Sequence, residues 1–186
     1  MPWFNTAGPC QADIHYMLSP IARLPQLARL IEQRGYFVIH APRQTGKTTA
    51  MMALAQQLTE GGKYTAVVLS VEVGAAFPHD PDAAEMAILG EWRRLAQSFL
   101  PPELQPPAWT KTLPGSRIAA ALGLWTQTSP RPLVVFMDEI DSLSEETLIS
   151  FLRQLRSGYP TRPRNFPHSL ALVGVRDVRD YKVASG

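Results

Sequence analysis

The stretch Ala41-Pro42-Arg43-Gln44-Thr45-Gly46-Lys47-Thr48 lies between a short β-rich run and a helical pattern. The run before it, Tyr36-Phe37-Val38-Ile39-His40, is bounded by turn residues, as expected of a buried strand. After Lys47 the apolar residues recur at helical spacing, which predicts a helix that ends at Gly61-Gly62. The sequence therefore predicts a strand, a tight loop and a helix in immediate succession.

A loop in this position suits a phosphate group. Successive backbone N–H groups of such a loop point inward, and the positive end of the following helix dipole adds to their attraction for an anion. We expect Lys47 to reach the β- and γ-oxygens of a nucleotide, and Thr48 to give its hydroxyl to Mg²⁺, which takes oxygen ligands. The usual pattern starts with glycine, and Ala41 stands in that place. The expected nucleotide contacts come from Pro42, Arg43, Gln44, Thr45, Gly46, Lys47, Thr48 and Thr49.

The most continuous apolar run of the chain, Leu133-Val134-Val135-Phe136-Met137, ends in two acidic residues, Asp138 and Glu139. Such a run is typical of a central parallel strand. In a phosphate-loop protein, a carboxylate at the tip of a neighbouring strand holds the metal, and an adjacent glutamate deprotonates the attacking water. Asp138 is therefore the expected metal ligand and Glu139 the expected general base, although an acidic pair after a strand is also common as a solvated turn. Asp141 fits either a water-mediated metal contact or a surface position.

Strands and helices alternate along the rest of the chain. Helices are predicted over 21–34 with Gly35 as a left-handed terminal residue, after Asp80, near Pro114, and after Ser144, whose hydroxyl is the expected cap. Further strands are predicted over 65–71 and 170–175. This alternation predicts an α/β sandwich with a mostly parallel sheet.

Arg176 follows the last predicted strand. Because a parallel sheet presents ligand-binding groups at the carboxyl ends of its strands, we expect Arg176 to lie near the γ-phosphate and to stabilise its developing charge. The alternative is a surface arginine paired with Asp177 or Asp180. The arginines between 153 and 179 fit a neighbouring subunit's site, a nucleic-acid backbone or a solvated face.

Composition narrows the class of protein. The chain has 186 residues, 45% of them hydrophobic, with a formal net charge of +2, which favours one folded domain and does not by itself indicate nucleic acid. A single cysteine, Cys10, excludes an internal disulfide. No run approaches the roughly 18 consecutive apolar residues of a membrane span. Since no leader pattern is apparent either, a cytoplasmic protein without a membrane partner is expected.

Taken together, the motifs resemble those of P-loop NTPases, and specifically of bacterial AAA+-like ATPases. The resemblance rests on Ala-Pro-Arg-Gln-Thr-Gly-Lys-Thr-Thr at 41–49, Phe-Met-Asp-Glu-Ile-Asp-Ser-Leu at 136–143, Phe-Leu-Arg-Gln-Leu-Arg-Ser-Gly at 151–158 and Val-Gly-Val-Arg-Asp-Val-Arg-Asp-Tyr-Lys at 173–182, and it covers the chain from about His15 onward. It implies a three-layer α/β/α fold with strand order 1-4-3-2, ATP and Mg²⁺ as cofactors, and catalytic roles for Lys47, Glu139 and Arg176. An arginine in place of the family's usual Asn, Ser or Thr at position 176 is similar to the STAND signalling ATPases, and it favours a switch over a rapid motor.

The same resemblance implies parts beyond those seen here. The family's sheet has a fifth strand beside the first, followed by a helical lid, so residues 1–20 are expected to form an arm and residues 21–186 a partial core. An uncovered first strand predicts self-association. The expected function is ATP binding with Mg²⁺-dependent hydrolysis. The alternative is a nucleotide-dependent switch with negligible hydrolysis that binds ATP or ADP and recruits protein or DNA through the missing region.

Overall fold

The computed structural model describes residues 3–4, 14–16, 25–42 and 45–175. Within these ranges the helices are α1 (Pro25–Glu32), α2 (Lys47–Glu60), α3 (Pro81–Phe99), α4 (Arg117–Thr128) and α5 (Glu145–Gly158). The strands are β1 (Tyr36–His40), β2 (Thr65–Ser70), β3 (Leu133–Asp138) and β4 (Ser169–Gly174). Short 3₁₀ turns span Glu72–Ala76, Pro102–Leu104, Ile140–Ser142 and Tyr159–Thr161.

The four strands form one sheet in the order β1-β4-β3-β2, and every pairing is parallel. This arrangement confirms the predicted α/β fold, the parallel sheet and the 1-4-3-2 order. β3 lies between β4 and β2, as its continuous apolar run predicted. Because all strands run the same way, the β1–α2 loop, Asp138 and the end of β4 lie at the same carboxyl edge of the sheet.

Helices cover both faces of the sheet. Alternate residues of β3 divide between two cores, since successive side chains of a strand point to opposite faces. One core joins Leu133, Val135 and Met137 to α3, α4 and α5, chiefly through Trp92, Trp125 and Phe151. The other joins Val134 and Phe136 to α1 and α2 through Ile31, Met51 and Leu54. No helix in the described ranges is long and apolar enough to cross a membrane.

The first predicted helix and strand need corrections. The helix is described over Pro25–Glu32, and positions 21–24 lie outside the described residues. The left-handed residue after it is Arg34 (φ 59°) rather than Gly35. Position 35 favours glycine for a steric reason, because a Cβ there would lie 2.9 Å from the carbonyl oxygen of Leu30. β1 is half-buried rather than buried, since among the described strands it pairs only with β4.

Two predicted helix starts also differ. α4 begins at Arg117, not near Pro114, because Gly115 adopts φ 78° and donates its N–H to the Glu85 carboxylate at 3.1 Å. Ser144 precedes α5 as expected, but its hydroxyl makes no capping hydrogen bond. The carbonyl of Pro78 accepts the N–H of Thr147 at 3.2 Å, so a distant loop caps α5 instead.

Candidate nucleotide site

The loop between β1 and α2 turns sharply at Gly46, which has φ 79° and ψ 21° and immediately precedes the first helical residue. These angles lie in the left-handed region, where a glycine carries no Cβ penalty. Thr45 Oγ1 donates to the Pro42 carbonyl at 2.9 Å, which closes the loop on itself. Two of the predicted contacts, Arg43 and Gln44, lie outside the described residues.

Lys47, the first residue of α2, folds its side chain back over this loop. Its Nζ donates to the carbonyl oxygens of Ala41 at 2.6 Å and Pro42 at 2.9 Å. A lysine ammonium has three donors, and acceptors among the described residues take two of them, which leaves one for an anionic ligand. The charge is thus held beside the N-terminus of α2, where the helix dipole also favours an anion.

Thr48 and Asp138 meet at the centre of the site. Thr48 Oγ1 donates to Asp138 Oδ2 at 2.6 Å, a contact between residues 90 positions apart in the chain. Asp138 is only 6% exposed, and its other carboxylate oxygen accepts the N–H of Glu139 at 3.0 Å. The two residues predicted as metal ligands are therefore adjacent, while their binding of a metal stays a prediction.

This hydroxyl and carboxylate are oxygen donors of the kind that Mg²⁺ accepts, and they fit the predicted ion chemically. Among the described residues, no group of three or more His, Cys, Asp or Glu side chains forms a metal-ligand set. Mg²⁺ usually keeps several waters and takes only one or two carboxylates, with phosphate oxygens completing its shell. Thr48 and Asp138 would hold it under those conditions.

Glu139 follows directly in the left-handed region, with φ 62° and ψ 32°. A non-glycine residue there carries strain, and such strain is concentrated at functional sites. The Asp138 carboxylate stabilises this turn through the Glu139 N–H. The Glu139 side chain is exposed, and it follows Asp138 directly at the carboxyl edge of the sheet.

The end of β4 is tied to the same edge. The N–H of Ala41 donates to the Gly174 carbonyl at 3.4 Å, and the N–H of Val175 donates to Asp141 Oδ1 at 3.1 Å. The sequence was compatible with either a metal contact or a surface position for Asp141. The structure shows a third role, because Asp141 anchors the chain just before position 176. Arg176 itself lies outside the described residues, so its expected phosphate contact stays a prediction.

No protein-family model matches the chain, and no curated protein sequence matches it. The function of the chain is therefore inferred from the geometry of the site. That geometry joins a lysine at a helix N-terminus, a hydroxyl, a buried carboxylate and a strained glutamate at one edge of a parallel sheet.

Proposed function

We propose that this chain binds ATP at the β1–α2 loop and hydrolyses it in a Mg²⁺-dependent reaction. The observation that carries this proposal is the 2.6 Å hydrogen bond between Thr48 and Asp138. It brings the end of the loop motif against the end of the β3 motif, at the edge where parallel sheets bind their ligands. A solvated turn after β3, or an ordinary strand-to-helix junction, would not require Thr48 and Asp138 to contact each other.

Binding would use the loop and the start of α2. Lys47 gives its remaining N–H to the β- and γ-phosphate oxygens, in a charge-assisted hydrogen bond. The backbone N–H groups from Thr45 to Thr49 add donors at the positive end of the helix dipole. Pro42 and, outside the described residues, Arg43 and Gln44 are proposed as further phosphate contacts. Thr48 and Asp138 would hold Mg²⁺, which neutralises charge that develops on the phosphate oxygens.

The chemical step would belong to Glu139. Its carboxylate accepts a proton from the attacking water as the water oxygen bonds to the γ-phosphorus. The bond between that phosphorus and the bridging oxygen breaks, and its electron pair leaves with ADP. Arg176 is proposed to stabilise the negative charge on the γ-phosphoryl oxygens during this transfer.

A second function, a nucleotide-operated switch with negligible hydrolysis, is favoured by a different observation. Lys47 and Thr48 both hydrogen-bond within the protein, to loop carbonyls and to Asp138. A bound metal would change the Thr48–Asp138 contact if the Asp138 carboxylate turned from the hydroxyl to the cation, and the two states would then differ in how the loop is tied to β3. Such a difference is what a switch requires.

Glu139→Gln separates the two functions. Steady-state phosphate release with Mg²⁺-ATP should fall by about 10²-fold or more, because the amide cannot accept the proton, while ATP affinity stays within a few-fold of the parent value. Glu103→Gln, a substitution of an exposed glutamate in the Pro102–Leu104 turn, is the matched control. Turnover of Glu139→Gln at the parent rate would reject the general base. Tight binding with no turnover in the parent would favour the switch.

The wider context follows the resemblance to AAA+-like and STAND-like ATPases. We propose a cytoplasmic protein whose nucleotide state is read by a protein or DNA partner. Pull-down of such a partner in the presence of ATP, but not of ADP, would support this role. Equal recovery with both nucleotides would contradict it.

A further inference from the structure

A cleft of about 810 Å³ lies along the outer edge of β2, between α2 and the C-terminal end of α3. Its size falls within the roughly 300–1,000 Å³ of typical small-molecule sites. The walls are mostly apolar, and they include Met52, Ala53, Leu95, Phe99 and Leu104. Phe99 is 57% exposed and adds an accessible aromatic face to the lining.

The β2 edge itself is largely closed to another strand. Alternate residues of an edge strand present their backbone groups outward, here Ala66, Val68 and Ser70. Thr59 Oγ1 bonds both the N–H of Ala66, at 3.0 Å, and its carbonyl, at 3.1 Å. Trp92 Nε1 donates to the Ser70 carbonyl at 3.0 Å. An added peptide strand would find no continuous ladder, so the cleft suits a small molecule better than a peptide.

A cationic group stands at one end of the cleft. Arg131 lines it and donates from Nη1 to the Thr59 carbonyl at 3.0 Å. Among the described residues, no aspartate or glutamate forms an ion pair with this guanidinium. Of the two acidic residues in the lining, Glu60 accepts a hydrogen bond from Gln56 at 2.8 Å, and Asp138 accepts one from Thr48 at 2.6 Å. A guanidinium with spare donors recognises carboxylate or phosphate oxygens.

We propose that the cleft binds a long-chain anionic amphiphile, such as a free fatty carboxylate, with its head group on Arg131 and its tail along the apolar walls. β2 has six residues and is therefore roughly 20 Å long, which gives space for an extended acyl chain. The ligand enters from solution rather than from a membrane. Such binding needs no nucleotide, although Thr48 and Asp138 line the far end of the cleft.

Calorimetric titration with dodecanoate below its micelle concentration, without nucleotide, tests this site. Saturable binding at one site per chain is expected. Arg131→Gln should weaken it by about tenfold or more, through loss of charge-assisted hydrogen bonds, and Arg131→Lys by less. The matched control is Arg156→Gln, at an exposed arginine near the end of α5. Because Arg131 also supports Thr59, the melting temperature of each variant must stay near that of the parent.

A variant that fills the cleft tests whether the acyl chain of the ligand lies there. Ala53→Phe should abolish binding, whereas Gln57→Phe, on the same helix but outside the lining, should leave it unchanged. Three results would overturn the proposal. They are the absence of saturable dodecanoate binding, equal binding of dodecyltrimethylammonium, and equal effects of Arg131→Gln and Arg156→Gln on dodecanoate binding. The proposal would also be overturned by sedimentation with anionic vesicles in the absence of dodecanoate binding, or by a change from dimer to monomer in Ala53→Phe, which would assign the cleft to a second copy of the chain.

Discussion

Glu139 holds a backbone conformation that costs a non-glycine residue about 1–3 kcal/mol. Its N–H donates to the Asp138 carboxylate, and the chain leaves β3 in a turn at this point. A glycine or asparagine would reach the same angles at lower cost. The proposed general-base role of Glu139 would account for a glutamate at this position, and the Glu139→Gln variant tests that role.

Lys47→Ala should weaken Mg²⁺-ATP binding by about 10- to 100-fold, since it removes a charge-assisted hydrogen bond worth about 1.5–3 kcal/mol. Isothermal titration of the parent and variant proteins measures the change. Lys111→Ala, at an exposed lysine in the segment before α4, is the control. Equal affinities of Lys47→Ala and the parent would remove Lys47 from the binding site.

At the level of the helix, the first residue of α4 depends on contacts with side chains far away in the sequence. Its first N–H groups, of Ile118 and Ala119, donate to Gln154 Oε1 on α5, and Gln154 Nε2 donates to the buried Glu85 carboxylate at 2.6 Å. The start of α4 is thus determined by side chains thirty or more positions away. Local patterns predicted a helix in this region but not its first residue.

His168 links the segment before β4 to α1, with Nε2 3.0 Å from the Ile31 carbonyl oxygen. Burial lowers the pKa of His168 below its usual value of 6.5, against the opposing effect of this hydrogen bond. The unfolded chain therefore binds a proton at a pH where the folded chain does not. The contribution of His168 to the free energy of unfolding should be complete above about pH 6.5 and be lost as the pH drops through the lowered pKa.

His168→Gln, which keeps a donor for Ile31 but cannot titrate, should flatten this dependence. Urea unfolding at several pH values between about 7.5 and 5 measures it. His79→Gln replaces an exposed histidine and should leave the slope as in the parent. The linkage to His168 is wrong if both variants retain the parent slope.

Across the whole molecule, the sheet was predictable because its strands are continuous apolar runs between clear turn signals. The 133–137 run alone indicated the central strand, and the position of Asp138 at its end followed from that. The loop motif and the acidic pair predicted that Thr48 and Asp138 would bind the same metal, but their direct hydrogen bond was not predicted. The Asp141 anchor and the cleft beside β2 were not predicted, because both arise from tertiary packing that no local pattern records.

The open edge of β1 predicts that the protein associates with itself. In the described part of the chain, β1 has β4 on one side and no strand on the other. Sedimentation velocity should detect concentration-dependent association, and Val38→Lys should reduce it, since a charge on an edge strand opposes pairing. Val73→Lys, at an exposed valine in the turn after β2, is the control. A single monomeric species at every concentration would contradict the prediction.

The Mg²⁺ dependence of ATP binding in Asp138→Asn tests the central claim most directly. The amide can still accept the Thr48 hydrogen bond, but it lacks the charge that a divalent cation requires. We predict that Mg²⁺ strengthens ATP binding to the parent protein by at least tenfold and does not strengthen binding to Asp138→Asn. An equal enhancement by Mg²⁺ in both proteins would contradict the proposed metal site.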